Sequence, residues 1–222
     1  MHIGIIGGIG PAATDFYYRN LIKAHALANK KFDLTIVHAE VSDVIGNIAA
    51  NTPDKQAKVF IQLAYRLEAS GADVIAISSI AAHFCIAEFT ALSPLPIISI
   101  IPTLESELKK RGLKKVGLLG HRISMETKLF GGISSVDVVI PLGDELDIAH
   151  NIYIKMAAEG QIDSIQREVL FTIGKKLCID QGADAVILAG TDLCLAFDGY
   201  ECGFNVIDSA LVHINALCDM SG

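Results

Sequence analysis

The sequence predicts an α/β protein built from two similar halves, each a parallel sheet flanked by helices, and three observations carry that prediction. Short runs of β-type residues alternate with helical stretches along the whole chain. The runs are continuously apolar rather than alternating, as strands buried on both faces of a parallel sheet require. Two segments of the first half also recur in the second at nearly the same spacing.

The strand-like runs of the first half are His2–Ile6, Leu34–His38, Val74–Ser78 and Pro96–Ile100. Lys115–Leu119, Val136–Ile140, Ala185–Ala189 and Asn205–Ile207 follow in the second. Helices are expected between them. Residues 53–70 carry Val59, Phe60, Leu63, Ala64 and Leu67 on one stripe and charged residues around the rest, the signature of a helix with one face on a core. Pro11 and Pro53 stand where a first helical turn begins, since proline there forfeits no hydrogen bond, and Thr52 is in place to cap the second of these helices. Strand–helix alternation of this kind puts helices on both sides of an open sheet.

The repeat divides the chain. Gly71-Ala72-Asp73-Val74-Ile75-Ala76-Ile77 matches Gly182-Ala183-Asp184-Ala185-Val186-Ile187-Leu188, 111 residues further on (71 to 182). His2-Ile3-Gly4-Ile5-Ile6-Gly7 matches Lys115-Val116-Gly117-Leu118-Leu119-Gly120 at an offset of 113 (2 to 115). We read an internal duplication, with residues 1–100 and 206–222 as one lobe and 101–205 as the other. The last helix, about 208–219, is expected to cross back onto the first lobe. Ligands of open parallel sheets bind beyond the carboxyl ends of the strands. Ser79 and Gly190, each just past its strand, are therefore expected to face one cleft between the lobes and to address two sides of one small molecule.

Composition narrows the partners. The net charge of −7 argues against nucleic acid, whose phosphates need a basic face. No apolar run approaches the about 20 residues of a membrane span, and Met1 leads into His2–Ile6 without a basic leader, so neither a membrane nor a signal peptide is expected. The five cysteines are odd in number and lack metal-binding spacing, which fits a reduced, cytoplasmic protein without a metal.

The segment Gly7-Gly8-Ile9-Gly10-Pro11-Ala12-Ala13-Thr14 follows the first strand and opens a helix. Three readings stand for it. A tight structural turn needs its glycines; a carboxylate site would use the free amides at the helix start; and Gly8, Gly10 and Ala13 fit a weak dinucleotide fingerprint. Pro11 removes an amide from that cradle, and Glu40, the nearest acid to hold a ribose, lies rather far downstream.

Extended to Asp15-Phe16-Tyr17, the same segment resembles the opening of the aspartate/glutamate racemase family. Gly117 to Glu126 is similar to the start of that family's second lobe, Gly182 to Asp192 to its second catalytic strand, and Ile207-Asp208-Ser209 with His213 to its C-terminal helix. The order is kept over nearly the whole chain. The resemblance implies two flavodoxin-like lobes and cofactor-free racemisation of an acidic amino acid, in which one group removes the α-proton and another returns a proton to the opposite face. It implies as partners a small carboxylate or amino-acid ligand and a second copy of the chain, as a homodimer. A thiolate suits that work because it is a good base whose pKa a site can lower.

The departures fall at the proton carriers. The family's first-lobe motif reads Cys-Asn-Thr-x-His, or a small residue in place of the cysteine; aligned on His83, this chain has Ser79, Ile80 and Ala81 there. The second-lobe motif reads Cys-Thr-Glu, and here it is Gly190-Thr191-Asp192. A serine hydroxyl is a far poorer base than a thiolate unless a neighbour activates it, and glycine offers nothing. Cys194 is either a displaced carrier or a buried small hydrophobe. His83 is either an acid/base group or a residue that holds its loop. Ser78 and Ser79 either bind a carboxylate or cap the helix that starts near Ile80.

By resemblance the substrate would be contacted by Gly8, Ile9 and Gly10, by Thr52, Ser78, Ile80 and Ala81, and in the second lobe by Ser124, Met125, Thr191 and Asp192. Asp192 has the alternative of orienting its own turn. Arg122 and Lys155 would neutralise a substrate carboxylate or lie on a solvated surface, and His121 stands in the same loop as Arg122. Three functions stay open: an isomerase with an unusual acid/base set, a decarboxylase or other enzyme working through a carbanion, and a binding protein without catalysis.

Overall fold

The computed structural model describes residues 1–221. It divides into two compact units, one of Met1–Ile100 with the chain from His213 onward, the other of Ile101–Val212.

In the first unit β1 (His2–Gly7), α1 (Pro11–Leu27), β2 (Asp33–His38), α2 (Val41–Ala49), α3 (Pro53–Ala69) and β3 (Val74–Ile77) are followed by a 3₁₀ turn at Ala81–Cys85 and by α4 (Ile86–Leu92). The strands form a parallel sheet in the order β2-β1-β3, with Ile3 opposite both Leu34 and Val74. The stripe read from residues 53–70 is the buried face of α3: Phe60, Leu63, Ala64 and Leu67 lie in the core with Ile75, Ile77 and Phe89. Phe60 meets Phe89 edge to face, with ring centroids 5.5 Å apart.

α5 (Ile100–Arg111) leads into the second unit. There β4 (Lys115–Gly120), α6 (Arg122–Glu126), β5 (Asp137–Val139), α7 (Asp144–Glu159), α8 (Ser164–Ile179) and β6 (Ala185–Ala189) precede a 3₁₀ turn at Thr191–Leu193. Then come α9 (Cys194–Phe197), β7 (Val206–Asp208) and α10 (Ser209–Met220). The second parallel sheet runs β5-β4-β6-β7. A separate core of Leu119, Tyr153, Met156, Phe171, Leu177 and Leu188 backs it.

The duplication is visible in what the repeated residues do. Gly71 and Gly182 both take left-handed φ values, 87° and 71°, which turn the chain after α3 and α8 without the penalty a side chain would carry. Each following aspartate then clips the neighbouring strand. The Asp73 amide donates to the His2 carbonyl at 2.8 Å, and the Asp184 amide to the Lys115 carbonyl at 2.8 Å. Their carboxylates accept from the same strands in return, from the His2 amide at 2.7 Å and from the Lys115 amide at 2.9 Å. The paired glycines Gly4 and Gly117 serve helix packing: a Cβ on either would stand 3.0 and 2.9 Å from Leu67 of α3 and Leu177 of α8.

Three expectations need correction. Pro96–Ile100 is not a strand. Its contact with the sheet is one parallel bridge, Ile97 to Ile75, closed by the Ile75 amide on the Pro96 carbonyl and the Ile98 amide on the Ile75 carbonyl, each at 2.8 Å. Pro94 and Pro96 have no amide to continue a ladder, and the chain enters α5 at Ile100. The unit boundary falls after Val212 rather than after 205, because β7 hydrogen-bonds to β6 and stays with the second sheet. Thr52 precedes α3 but does not cap it with its side chain; its hydroxyl turns back to the Asn47 carbonyl at 3.3 Å. Among the described residues, no helix is long and apolar enough to cross a membrane.

Candidate functional site

Each unit presents a short turn just past the strand that lies beside its first strand. In the first unit this is the turn after β3. The Ser78 amide donates to the Ile6 carbonyl at 3.2 Å, and its hydroxyl lies 3.2 Å from that of Thr14. Ser79, Ile80, Ala81 and His83 follow within one turn, all buried. His83 Nδ1 is 2.8 Å from the Ser79 carbonyl oxygen. A carbonyl only accepts, so Nδ1 carries the hydrogen and Nε2 exposes a bare lone pair. That Nε2 is buried and has no hydrogen-bond partner among the described residues. Burial lowers the His83 pKa from 6.5 to about 4, against the pull of its bond to Ser79, so the imidazole is neutral at physiological pH.

The histidine that resembles the family's C-terminal helix is fixed in the opposite tautomer. His213 Nε2 donates to the Ile98 carbonyl at 2.9 Å, leaving Nδ1 to accept from the Tyr17 hydroxyl at 2.8 Å. Burial, then the neighbouring His83, push its pKa down to about 3. The Tyr17–His213 pair spans 196 residues of sequence, and no local pattern announces it.

The glycine turn after β1 is built as a structural turn. The Gly8 amide donates to Thr14 Oγ1 at 2.9 Å, and the Thr14 amide to the Gly10 carbonyl at 3.3 Å. One amide of the expected anion cradle is thus spent within the turn. Gly8 has a φ of 92°, and a Cβ there would stand 2.5 Å from His38 Nδ1. Ile9 packs into the core. A hollow of about 370 Å³ opens beside the turn, lined by Thr14, Asp15, Tyr18 and His38. Glu40, the acid a dinucleotide ribose would need, caps α2 by accepting from the Ser42 amide at 3.3 Å. Thr52 lies apart from these residues in sequence and bonds to Asn47.

In the second unit the turn after β6 carries Gly190, Thr191, Asp192 and Cys194, with the last three buried. Gly190 has extended backbone but no room: a Cβ would stand 2.3 Å from Tyr153 Cε2 and 2.7 Å from its Cζ. The Tyr153 hydroxyl, on α7, donates to Asp192 Oδ2 at 3.3 Å in a buried contact. Burial first, then the Asp192 charge, hold the phenol well above its usual pKa. Cys194 Sγ lies 3.8 Å from the Asp192 carbonyl. Burial and the carboxylates of Asp192, Asp208 and Asp198 push its thiol up strongly, so it stays protonated.

α6 brings the remaining candidates of this unit together. His121 caps it, with Nδ1 accepting from the Ile123 amide at 3.2 Å, and its ring meets that of Tyr153 edge-on at 5.9 Å. Ser124 and Met125 are fully buried, and Ser124 Oγ has no hydrogen-bond partner among the described residues. Arg122 is already engaged, with Glu126 at 3.2 Å and with Asp147, while Lys155 is exposed. Tyr153 is the residue that reading the sequence missed. Nothing in the spacing of α7 marks it, and its significance lies in the glycine it covers. Among the described residues, no group of three or more His, Cys, Asp and Glu is placed to hold a metal ion.

Comparison with known proteins bears on the family and the fold. The family model for Asp/Glu/hydantoin racemase matches residues 6–217. The broad specificity amino-acid racemase of Bacillus subtilis is 24% identical over 218 residues, 94% of this chain and 92% of that protein. The crystal structure of an aspartate racemase homologue from Pyrococcus horikoshii is similar with a TM-score of 0.81 and 28% identity, covering 99% of this chain and 98% of that one. Picrophilus torridus aspartate racemase shares the fold at a TM-score of 0.78 and 22% identity, over 100% of this chain and 94% of that one.

Proposed function

Because the chain belongs to the Asp/Glu/hydantoin racemase family, we propose that it is an amino-acid racemase that moves the α-proton of a small acidic amino acid without a cofactor, using groups other than paired cysteines. Ser79 and Gly190 stand where the family resemblance implies the two thiols, so the activity is altered and weak beside that of a two-cysteine enzyme.

The observation that carries an acid/base reading is His83. A buried imidazole with one nitrogen locked by a carbonyl and the other bare is a base already in its reactive tautomer. Its lowered pKa keeps that nitrogen unprotonated throughout the neutral range. Ser79 supplies the carbonyl that sets the tautomer, and its hydroxyl replaces the thiol only as a polar contact. The Cys194 thiol is too strongly held in its neutral form to act as a displaced thiolate. The ligand is a small carboxylate-bearing amino acid, and the protein works as a homodimer, which sedimentation velocity tests.

Incubation of the purified protein with each enantiomer of aspartate and glutamate, followed by chiral chromatography, tests the function. Slow interconversion that survives treatment with hydroxylamine, which removes pyridoxal phosphate, is the expected result. Release of carbon dioxide without interconversion would favour a decarboxylase, and ligand binding with neither would favour a binding protein.

A further inference from the structure

Gly190 leaves the second unit without a side chain where the family resemblance implies a thiol, and the phenol of Tyr153 occupies the space that side chain would need. A Cβ on Gly190 would stand 2.3 Å from Cε2, 2.7 Å from Cζ and 3.0 Å from the hydroxyl oxygen of Tyr153. The hydroxyl oxygen therefore stands in ordinary reach of the place from which a cysteine side chain would project. Tyr153 is 5% exposed and Asp192 1%, so their hydrogen bond is made away from bulk water. The His121 ring flanks the same phenol.

The direction of that hydrogen bond matters. The phenol gives its hydrogen to a carboxylate oxygen, and a phenol oxygen that donates its own hydrogen keeps lone pairs that can accept a proton. We propose that Tyr153 and Asp192 form a proton relay serving one face of the substrate's α-carbon, in place of the thiol that Gly190 lacks. This rests on the racemase reading and names the group that does the work in the second unit.

The relay is balanced at every bond. The Cα–H bond breaks, its electron pair stays on the α-carbon, and its proton bonds to Tyr153 Oη. The original Oη–H bond breaks in the same event, and that proton bonds to Asp192 Oδ2. Tyr153 is a neutral phenol before and after, and Asp192 ends as a neutral carboxyl group. Delivery of a proton to the α-carbon is the same sequence reversed. No free phenolate forms, as a phenol held beside a buried carboxylate demands. Neither neighbour competes for the role: Cys194 faces the Asp192 main chain, and His121 Nδ1 is taken by the Ile123 amide.

Solvent-deuterium wash-in, followed by proton NMR on each enantiomer of aspartate and glutamate, tests the relay. Tyr153→Phe keeps the ring over Gly190 and removes only the hydroxyl. Asp192→Asn keeps an acceptor for the phenol but cannot take up its proton. In wild-type protein both enantiomers of the substrate exchange. In either variant the enantiomer whose α-hydrogen faces Tyr153 is expected to lose exchange by about 100-fold or more. Its mirror image still takes up deuterium with retention, and inversion is lost in both directions. A structural role would lower both enantiomers together. The relay is overturned if both enantiomers fall equally in variants with wild-type circular dichroism, if exchange stays within a few-fold of wild type, or if the two variants silence opposite enantiomers. Wild-type protein that exchanges neither amino acid overturns the racemase reading itself, and the relay with it.

Discussion

Replacing Gly190 by alanine tests how closely the turn after β6 is fitted to α7. The glycine's φ of −166° is extended, so alanine meets no backbone strain and the whole effect is steric. The added Cβ would lie 2.3 Å from Tyr153 Cε2 and 2.7 Å from Cζ, atoms of a rigid ring rather than the end of a flexible chain. The ring must swing aside. Overpacking of this kind costs about 1–3 kcal/mol, and losing the buried bond to Asp192 adds about 1–3 kcal/mol. The smaller conformational freedom of alanine in the unfolded chain works the other way by about 0.4–1 kcal/mol, too little to offset them. For a chain of this length each kcal/mol lowers the melting temperature by about 2–4 °C, so a fall of about 5–15 °C is expected by circular dichroism. A double-mutant cycle isolates the cause. With Tyr153→Ala already in place, Gly190→Ala should cost under about 0.5 kcal/mol. Gly190→Cys should behave as alanine does, so returning a thiol to this position restores nothing while the ring remains. A Gly190→Ala protein that melts with wild type, or that loses as much stability without the Tyr153 ring as with it, would refute the steric account.

Two further expectations concern stability. The folded-state pKa values of His83 and His121 are lowered from 6.5 to about 4, and that of His213 to about 3. Folding therefore favours the neutral rings: their contribution is fully present above pH 6.5 and is lost progressively as pH falls from 6.5 to about 4, or to about 3 for His213, about 3 kcal/mol for His83 alone. The urea midpoint should drop steeply across that window and less steeply in His83→Gln, whereas a flat profile would contradict the buried neutral assignment. The duplicated aspartate clips should differ in weight, because Asp184 accepts from the amides of both Lys114 and Lys115 and Asp73 from that of His2. Asp184→Ala should lower the melting temperature more than Asp73→Ala, and the reverse order would show that the second bond adds nothing.

The fold was legible because the chain states it twice. Gly71-Ala72-Asp73 and Gly182-Ala183-Asp184 do the same work at the same point of each sheet, and that work needs those residue types. The apolar stripe of residues 53–70 was likewise a direct image of a helix face on a core. Pro96–Ile100 misled because its composition is that of a strand while its prolines allow a single bridge. Val206 and Ile207 were placed with the first lobe because a three-residue strand carries no mark of its partner. In the turns after β3 and β6, the residues Ser78, Ser79, His83 and Gly190 to Asp192 stood out through their position past a strand. What filled the gap at Gly190 did not. Tyr153 lies 37 residues earlier (153 to 190) on a helix, and a contact made by packing leaves no periodicity to read. The Tyr17–His213 bond escaped notice for the same reason.

As proposed above, this protein makes and reverses a carbanion at the α-carbon of an acidic amino acid with no cysteine at either proton-transfer position. Incubation of L-aspartate, D-aspartate, L-glutamate and D-glutamate with the wild-type protein in deuterated water, with the α-hydrogen signal followed by NMR, measures that step directly. Loss of the α-hydrogen signal is expected for both enantiomers of at least one of these amino acids, unchanged in Cys194→Ala and, in His83→Ala, abolished for the one enantiomer whose α-hydrogen faces His83. Wild-type protein that leaves every α-hydrogen in place, exchange that disappears with Cys194, or exchange of both enantiomers undiminished without His83, would contradict this reading.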